Sequence, residues 1–147
     1  MTDMLSKSAR LRSLLFENAS ALFVGVHNAL GAQIGEECGF QGIWASGLEL
    51  SAAAGLPDAG LLSTSDMLAA ATQMDRATGL PVLCDCDDGF GSIYNVMHMV
   101  KEYEAAGIAG VCLEDGTRPK RNSLGIELPK MCPPEEFAAK IAAAKAT

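Results

Sequence analysis

Aromatic side chains and positive charges are scarce in this sequence of 147 residues. Only 5% of the residues are Phe, Trp or Tyr, so we expect a core built from aliphatic side chains. Lys and Arg number 11 against 18 Asp and Glu, which gives a formal net charge of -7. Because nucleic acid would be repelled over most of such a surface, the composition argues against a nucleic-acid binder. A small anionic substrate is compatible with it, provided that a metal or a local cation offsets the field.

Long apolar runs and a secretion signal are also missing. No stretch approaches the ~20 apolar residues that a membrane span requires. Residues 1–4 have neither the basic nor the apolar region of a signal peptide. The five cysteines, an odd number, favour reduced thiols over a disulfide framework. We therefore expect a cytoplasmic protein that binds neither membrane nor nucleic acid.

Short apolar runs alternate with amphipathic helices along the chain. Strands are predicted over 21–24, 42–45, 81–84 and 110–113, with helices before, between and after them and a loose Gly/Ala/Ser/Pro region over 46–63. Continuous apolar strands between helices indicate a parallel sheet covered on both faces. Four such units make either a small doubly wound sheet or half of an eightfold barrel. Because the sequence ends within a predicted helix, we expect a truncated domain.

Acidic residues follow the third and fourth predicted strands. They are Asp85, Asp87, Asp88, Glu114 and Asp115. The carboxyl ends of parallel strands carry the active site in both architectures, so these carboxylates should share one rim. A hard divalent cation such as Mg²⁺ offsets the repulsion among them. Taken singly, Asp85 and Asp88 are better explained as caps at the positive end of the next helix, but the set of Asp85, Asp87 and Glu114 favours a metal site.

Two further segments are candidates for anion binding. Ser46 and Gly47 open a helix, either as an ordinary N-cap or as a cradle of free backbone amides. Arg118, Lys120 and Arg121 form a basic cluster after the fourth strand. Such a cluster is usually a solvated loop, but at this place it also suits a mobile lid over an anionic substrate.

Five motifs in order make the sequence recognisable. They read IWASGL at 43–48, PD at 57–58, DCDDGFG at 85–91, LED at 113–115 and PKRNSL at 119–124. Together they resemble the phosphoenolpyruvate mutase branch of the isocitrate lyase superfamily. The resemblance implies an α/β fold, namely a (β/α)₈ barrel that forms a single domain. Residues 1–147 would be the N-terminal half of that domain and contain its first four βα units. It also implies a homo-oligomer, a dimer or a tetramer in the full-length form, in which the last helix is exchanged between subunits.

The reaction implied by the resemblance is the interconversion of phosphoenolpyruvate and phosphonopyruvate, an isomerisation that makes a P–C bond in phosphonate biosynthesis. Trp44, Ser46 and Gly47 would hold the substrate carboxylate. Asp85 would bind Mg²⁺, or Mn²⁺ in its place. Asp87 and Glu114 would support the water shell of the metal.

The same resemblance assigns the phosphoryl group to other residues. Asp58 would lie beside the transferring group, as nucleophile or as orienting group. Lys120, Asn122 and Ser123 would belong to a gating loop, with Asn122 against the phosphoryl oxygens. The chain departs from the family pattern at Asp88, where Thr or Ser is usual, and at Arg121, where a smaller residue is common. The second half of the barrel, with the substrate-binding Arg and His of the family, is also absent.

The loop also bears on the alternatives. A phosphonopyruvate hydrolase, a carboxyphosphoenolpyruvate mutase and a carbon–carbon lyase are the alternatives within the superfamily. The lyases carry a Lys-Lys-Cys-Gly-His type of run where this chain has residues 120–123, which favours a mutase. Asn122 favours the mutase over the hydrolase, in which that position tends to be Thr. The alternative of a different class is an inactive half-barrel fragment.

Overall fold

A sheet of four parallel strands organises the fold. The computed structural model describes residues 5–122 and 130–147. The strands are β1 (Phe23–Val26), β2 (Gly42–Ala45), β3 (Val82–Asp85) and β4 (Gly110–Cys112). The helices are α1 (Lys7–Phe16), α2 (Ala29–Glu37), α3 (Gly47–Ala53), α4 (Thr64–Ala77), α5 (Ile93–Ala105) and α6 (Pro134–Ala146). The strands lie in the order β1-β2-β3-β4, and each is parallel to its neighbour.

Local capping signals determine where several helices begin and end. A capping box opens α4, with the Ser63 hydroxyl accepting from the Asp66 amide and the Asp66 carboxylate accepting from the Ser63 amide. Glycines follow the ends of α2 and α5. Gly39 and Gly107 have φ of +84° and +83°, a region that side chains with a Cβ avoid.

The main core lies between the sheet and the helices on one of its faces. Ile43, Val82 and Cys84 point towards these helices and are at most 2% exposed. Met74 of α4 and Met99 of α5 are equally buried in this layer. The neighbouring strand positions 44 and 83 face the opposite side and are only partly buried, as the two-residue period of a strand requires. That second face carries the functional residues described below.

Three predicted boundaries differ from the structure. The first strand was expected at 21–24 but runs from Phe23 to Val26, because its pairing with β2 starts opposite Gly42. The prediction stopped before Gly25, where a Cβ would lie 2.6 Å from an oxygen at the end of the flexible Glu49 side chain. The third strand is Val82–Asp85 instead of 81–84, and the fourth ends at Cys112.

The region over 46–63 is not wholly loose. It contains the seven-residue helix α3, whose start at Ser46 and Gly47 was predicted but whose extent the Ala- and Gly-rich composition concealed. None of the helices in the described part of the chain is long and apolar enough to cross a membrane.

Candidate active site

The second face of the sheet carries polar side chains at the carboxyl ends of its strands. Asp85 lies two residues after Leu83 and pairs in register with Cys112, and Glu114 follows two residues later. The two-residue period therefore directs both carboxylates to the same side. Trp44 lies on this side as well, opposite Leu83 in the neighbouring strand.

These residues line one open pocket of about 810 Å³. The predicted site residues in its lining are Trp44, Ser46, Asp58, Asp85, Glu114, Lys120 and Asn122. Gly47 and Asp87 lie just behind the lining and contact its members. Ser123 lies outside the described residues. The structure thus gathers the described residues of the predicted set at one place, although they come from five segments of the chain.

The Asp85 carboxylate is held by two backbone amides. Its Oδ1 accepts a hydrogen bond from the Asp87 amide at 3.1 Å, and its Oδ2 accepts one from the Gly47 amide at 3.2 Å. A Cβ on residue 47 would lie 3.0 Å from Asp85 Oδ2, so a larger residue there would press on this carboxylate. Ser46 caps α3 by accepting from the Glu49 amide. The ordinary N-cap is therefore confirmed, and the first amide of α3 binds a protein carboxylate in this structure.

The turn after β3 has an unusual backbone. Asp87 and Phe90 have φ of +46° and +61°, a region in which residues other than glycine are uncommon. Gly89 is also at positive φ, and a Cβ there would lie 2.4 Å from a Val96 methyl carbon. Such conformations cost on the order of 1–3 kcal/mol each and concentrate at functional sites. This segment is therefore a tight turn beside the site.

Lys120 connects two acidic segments across the pocket. Its Nζ donates to Asp58 Oδ1 at 2.6 Å and to Asp87 Oδ1 at 2.5 Å. All three side chains are largely buried, with 16% of Lys120 exposed. Burial alone would lower the pKa of Lys120, but the hydrogen bonds to Asp58 and Asp87 outweigh it and raise the pKa above its ordinary value. The ammonium group is therefore a permanent positive charge in the pocket.

Asp58 has a second partner in the same loop. Its Oδ2 accepts a hydrogen bond from Asn122 Nδ2 at 2.9 Å. Both carboxylate oxygens are thus bonded to residues that follow β4, more than sixty positions along the chain. The segment that carries Lys120 and Asn122 lies directly against the connection between α3 and α4.

Asp88 belongs to a neighbouring ionic cluster that the sequence did not reveal. Arg118 Nε lies 3.0 Å from each oxygen of its carboxylate, and a second guanidinium nitrogen lies 2.8 Å from Oδ1. The buried Lys140 of α6 donates to the Asp88 carbonyl at 2.9 Å and lies 3.6 Å from Oδ2. Arg118 had been noted only as part of a basic cluster. Lys140 had no local signal, because its partner is 52 residues away.

Burial also shifts the pKa of two carboxyl groups that line the pocket, those of Asp85 and Glu114. It raises the pKa of Asp85, although the Asp87 amide partly offsets the effect. It also raises the pKa of Glu114, and the charge of Asp85 adds to that shift. Both groups would accordingly be stabilised as anions by a cation bound between or beside them.

The chemistry of these donors fits Mg²⁺. In the described part of the chain, no three His, Cys, Asp or Glu side chains are grouped to hold a metal by themselves. Asp58 and Asp87 both pair with Lys120, so Asp85 and Glu114 are the predicted site carboxylates that remain for a metal. Mg²⁺ is commonly bound by one or two carboxylates while it keeps several waters. Two oxygen donors in a pocket of this volume, which has room for bound waters, meet that requirement.

The thiols near the site are unsuited to nucleophilic chemistry. Burial raises the pKa of Cys84 to about 12, and burial raises the pKa of Cys86 as well. Since the thiolate is the reactive form, both cysteines are inert packing residues near neutral pH.

Comparison with known proteins gives close relatives for nearly the whole chain. The family model described as phosphoenolpyruvate phosphomutase matches residues 11–147. The phosphoenolpyruvate phosphomutase of Tetrahymena pyriformis is 42% identical over 96% of this chain and 47% of its own length. The 2,3-dimethylmalate lyase of Eubacterium barkeri is 38% identical over 95% of the chain and 48% of its own.

Solved structures agree with the sequence comparison. The phosphoenolpyruvate phosphomutase of Streptomyces platensis subsp. rosaceus superimposes with a TM-score of 0.89 at 48% identity, over 95% of this chain and 48% of its own. A phosphonopyruvate hydrolase in complex with oxalate and Mg²⁺ superimposes with a TM-score of 0.86 at 38% identity, over 97% and 48%. The chain spans about half the length of the relatives it matches. Its four strand–helix units correspond to about half of their barrel, which confirms the predicted fold class.

Proposed function

Because the chain belongs to the phosphoenolpyruvate phosphomutase family of the isocitrate lyase superfamily, we propose that the whole protein interconverts phosphoenolpyruvate and phosphonopyruvate. Mutases, a hydrolase and a lyase are similarly close relatives of this chain. The residues of the site are what favour a mutase over the other two activities. The observation that carries it is the contact of Lys120 and Asn122 with Asp58 at the pocket. Positions 120–122 supply a cation and an amide, and they lack the cysteine that the lyase loop carries.

The proposed reaction moves a phosphoryl group between carbon and oxygen of the same pyruvate unit. In one direction the P–C bond of phosphonopyruvate breaks, and its electron pair stays with the pyruvate part as an enolate. An enolate oxygen then forms the new O–P bond, which gives phosphoenolpyruvate. Such a transfer depends mainly on charge stabilisation and in-line positioning.

Lys120 and Asn122 are suited to stabilise the phosphoryl group during this transfer. Their ammonium and amide N–H groups would donate to its equatorial oxygens, where negative charge is spread in the transition state. Asp58 holds both groups in place through its two oxygens. This arrangement supports the orienting role of Asp58, since a nucleophilic role would require one of its oxygens to leave its partner.

The other end of the substrate would lie at the carboxyl ends of β2, β3 and β4. Trp44, Ser46 and Gly47 are proposed to hold its carboxylate at the start of α3. Asp85 would bind Mg²⁺ or Mn²⁺, with Asp87 and Glu114 oriented towards its waters. When bound, the metal would act as a Lewis acid for the charge that develops on the pyruvate oxygens.

Phosphorus NMR of phosphonopyruvate, with Mg²⁺ and the whole protein that contains this chain, tests the proposal. Formation of phosphoenolpyruvate with little inorganic phosphate is the expected result. Phosphate and pyruvate as the main products from the start would instead identify a hydrolase. If phosphonopyruvate is untouched while a 2-methylisocitrate-type acid is cleaved, the protein is a lyase.

We further propose that the whole protein is a cytoplasmic homo-oligomer. All five cysteines are free thiols, including the exposed Cys38, which suits a reducing compartment. Size-exclusion chromatography with light scattering would give the subunit number, for which a dimer or tetramer is expected.

A further inference from the structure

Two ion pairs join the turn after β3 to the loop after β4. The inner ion pair, Asp87–Lys120, belongs to the catalytic pocket. The outer ion pair, Asp88–Arg118, lies next to it, one residue further along the turn and two residues earlier in the loop. Asp88 and Arg118 do not line the catalytic pocket, so the outer ion pair has no place in the proposed chemistry itself.

The outer ion pair has the geometry of a strong contact. Arg118 binds both oxygens of Asp88 in a fork, at 2.8–3.0 Å. The Asp88 side chain is only 11% exposed, whereas Arg118 is 43% exposed. Bidentate arginine–carboxylate pairs restrict orientation as well as distance. Because Arg118 lies two residues before Lys120, this restriction limits where the Lys120 backbone can move.

Asp88 is itself anchored on its other side. The buried Lys140 donates to its carbonyl oxygen and approaches its carboxylate. The carboxylate therefore sits between a cation from α6 and a cation from the loop after β4. Because Lys140 holds Asp88 against α6, the pairing of Arg118 with Asp88 also fixes the loop after β4 relative to α6.

We propose that Asp88 and Arg118 are positioning residues that keep the segment from Gly116 to Asn122 closed over the pocket and thereby exclude water from the phosphoryl group. This inference rests on the proposed function. Water that reaches the phosphoryl group converts phosphonopyruvate and H₂O into pyruvate and inorganic phosphate. A closed segment prevents that reaction and leaves the pyruvate enolate oxygen as the only acceptor.

Arg118→Gln is the most informative variant. It removes the fork but leaves Asp88 paired with Lys140, so the buried charges remain compensated and the chain should fold. Asp88→Asn is the second variant, and Asp88→Glu tests rescue by a conserved charge. Arg76→Gln is the matched control, because Arg76 is an exposed arginine at the end of α4, outside the pocket.

Two measurements separate this inference from the proposed function. Hydrogen exchange of the amides over 116–122 is measured on the whole protein without substrate, so it needs no turnover. The ratio of inorganic phosphate to phosphoenolpyruvate formed from phosphonopyruvate is measured by phosphorus NMR on the whole protein. For Arg118→Gln we expect both to rise about tenfold, the factor that corresponds to about 1.4 kcal/mol. Asp88→Asn should match it, Asp88→Glu should restore part of the loss, and Arg76→Gln should change neither.

The outcomes are distinct. If Arg118→Gln and the wild type show the same exchange rates over 116–122 and the same product ratio, the positioning role is overturned. Faster exchange with an unchanged product ratio would overturn the role in excluding water. A wild-type protein that leaves phosphonopyruvate untouched would overturn the proposed function, while the exchange measurement would still decide whether the outer ion pair closes the segment.

Discussion

The Lys120 ammonium group lies 2.6 Å from Asp58, although 62 positions separate the two residues in the chain. This contact brings the loop after β4 against the connection between α3 and α4. Gly60, at a φ of +68°, lies in the same contact between the two segments. A Cβ on this residue would lie 3.5 Å from the Lys120 Cβ. The pocket is therefore enclosed by two segments whose packing depends on charge pairing, and variants of this region should affect turnover more than stability.

Asn122→Ala should lower the turnover of the whole protein by on the order of 100-fold, the scale of losing one preorganised donor. The amide holds one oxygen of Asp58 and is proposed to face the phosphoryl oxygens. The measurement is the initial rate of phosphoenolpyruvate formation under saturating phosphonopyruvate. Asn18→Ala, an exposed asparagine just after α1, serves as the control and should retain the wild-type rate. If the Asn122→Ala variant keeps a rate within about threefold of wild type, this amide does not have the proposed role.

Much of the site was predictable because it depends on local patterns. The period of a strand directs Trp44, Asp85 and Glu114 to one face, and the parallel order of strands brings their ends together. The ionic contacts of Arg118 and Lys140 were not predictable, because each depends on the path of a loop or on a helix packed from far along the chain. The start of helix α3 at Ser46 was predicted, but its extent was missed because its short Ala- and Gly-containing sequence resembles a loop.

Glu36→Gln should destabilise the fold by about 1 kcal/mol, a charged hydrogen-bond contribution reduced for solvent exposure. The Glu36 carboxylate accepts from the Thr78 hydroxyl at 2.5 Å and from the Gly79 amide at 2.9 Å, and so fastens α2 to the turn before β3. Urea unfolding gives the free-energy difference. Glu37→Gln, at the exposed neighbouring position, is the matched control and should stay close to wild type.

The effect of Glu36 should also depend on pH in a defined direction. The Thr78 hydroxyl, followed by the Gly79 amide, lowers the pKa of Glu36 below its ordinary value. A lowered folded-state pKa means that the stabilisation is fully present above the ordinary carboxyl pKa of about 4.3 and is lost as the pH falls through the lower folded value. The difference between wild type and Glu36→Gln should therefore be largest near neutral pH and shrink in acid. A difference that grows in acid would contradict this linkage.

Tyr103→Phe should leave stability unchanged or raise it by up to about 1 kcal/mol, because a buried hydroxyl without a partner carries a desolvation cost. Tyr103 is 1% exposed, and its hydroxyl has no hydrogen-bond partner within the residues that the structure describes. The Cys86 thiol beside it is a weak partner at most. Tyr94→Phe, on a side chain that is 80% exposed, is the control. A clear loss of stability for Tyr103→Phe alone would show that the hydroxyl is bonded after all.

Metal binding should centre on Asp85, and it can be measured without turnover. Asp85→Asn keeps the size of the side chain but removes the charge, and Asp85→Ala removes the ligand altogether. Both should abolish turnover in the whole protein and weaken Mn²⁺ binding, followed by titration calorimetry, by at least about tenfold.

Cys86→Ala provides the contrast next to that ligand. It alters a fully buried thiol that takes no part in binding, so it should retain metal affinity and most of the turnover. Because Asp85 also accepts from the Gly47 and Asp87 amides, circular dichroism must show that its variants keep the wild-type fold. Full activity of the wild type in excess chelator would exclude the metal, and unchanged Mn²⁺ affinity in a folded Asp85→Ala variant would move the site to other oxygens of the pocket.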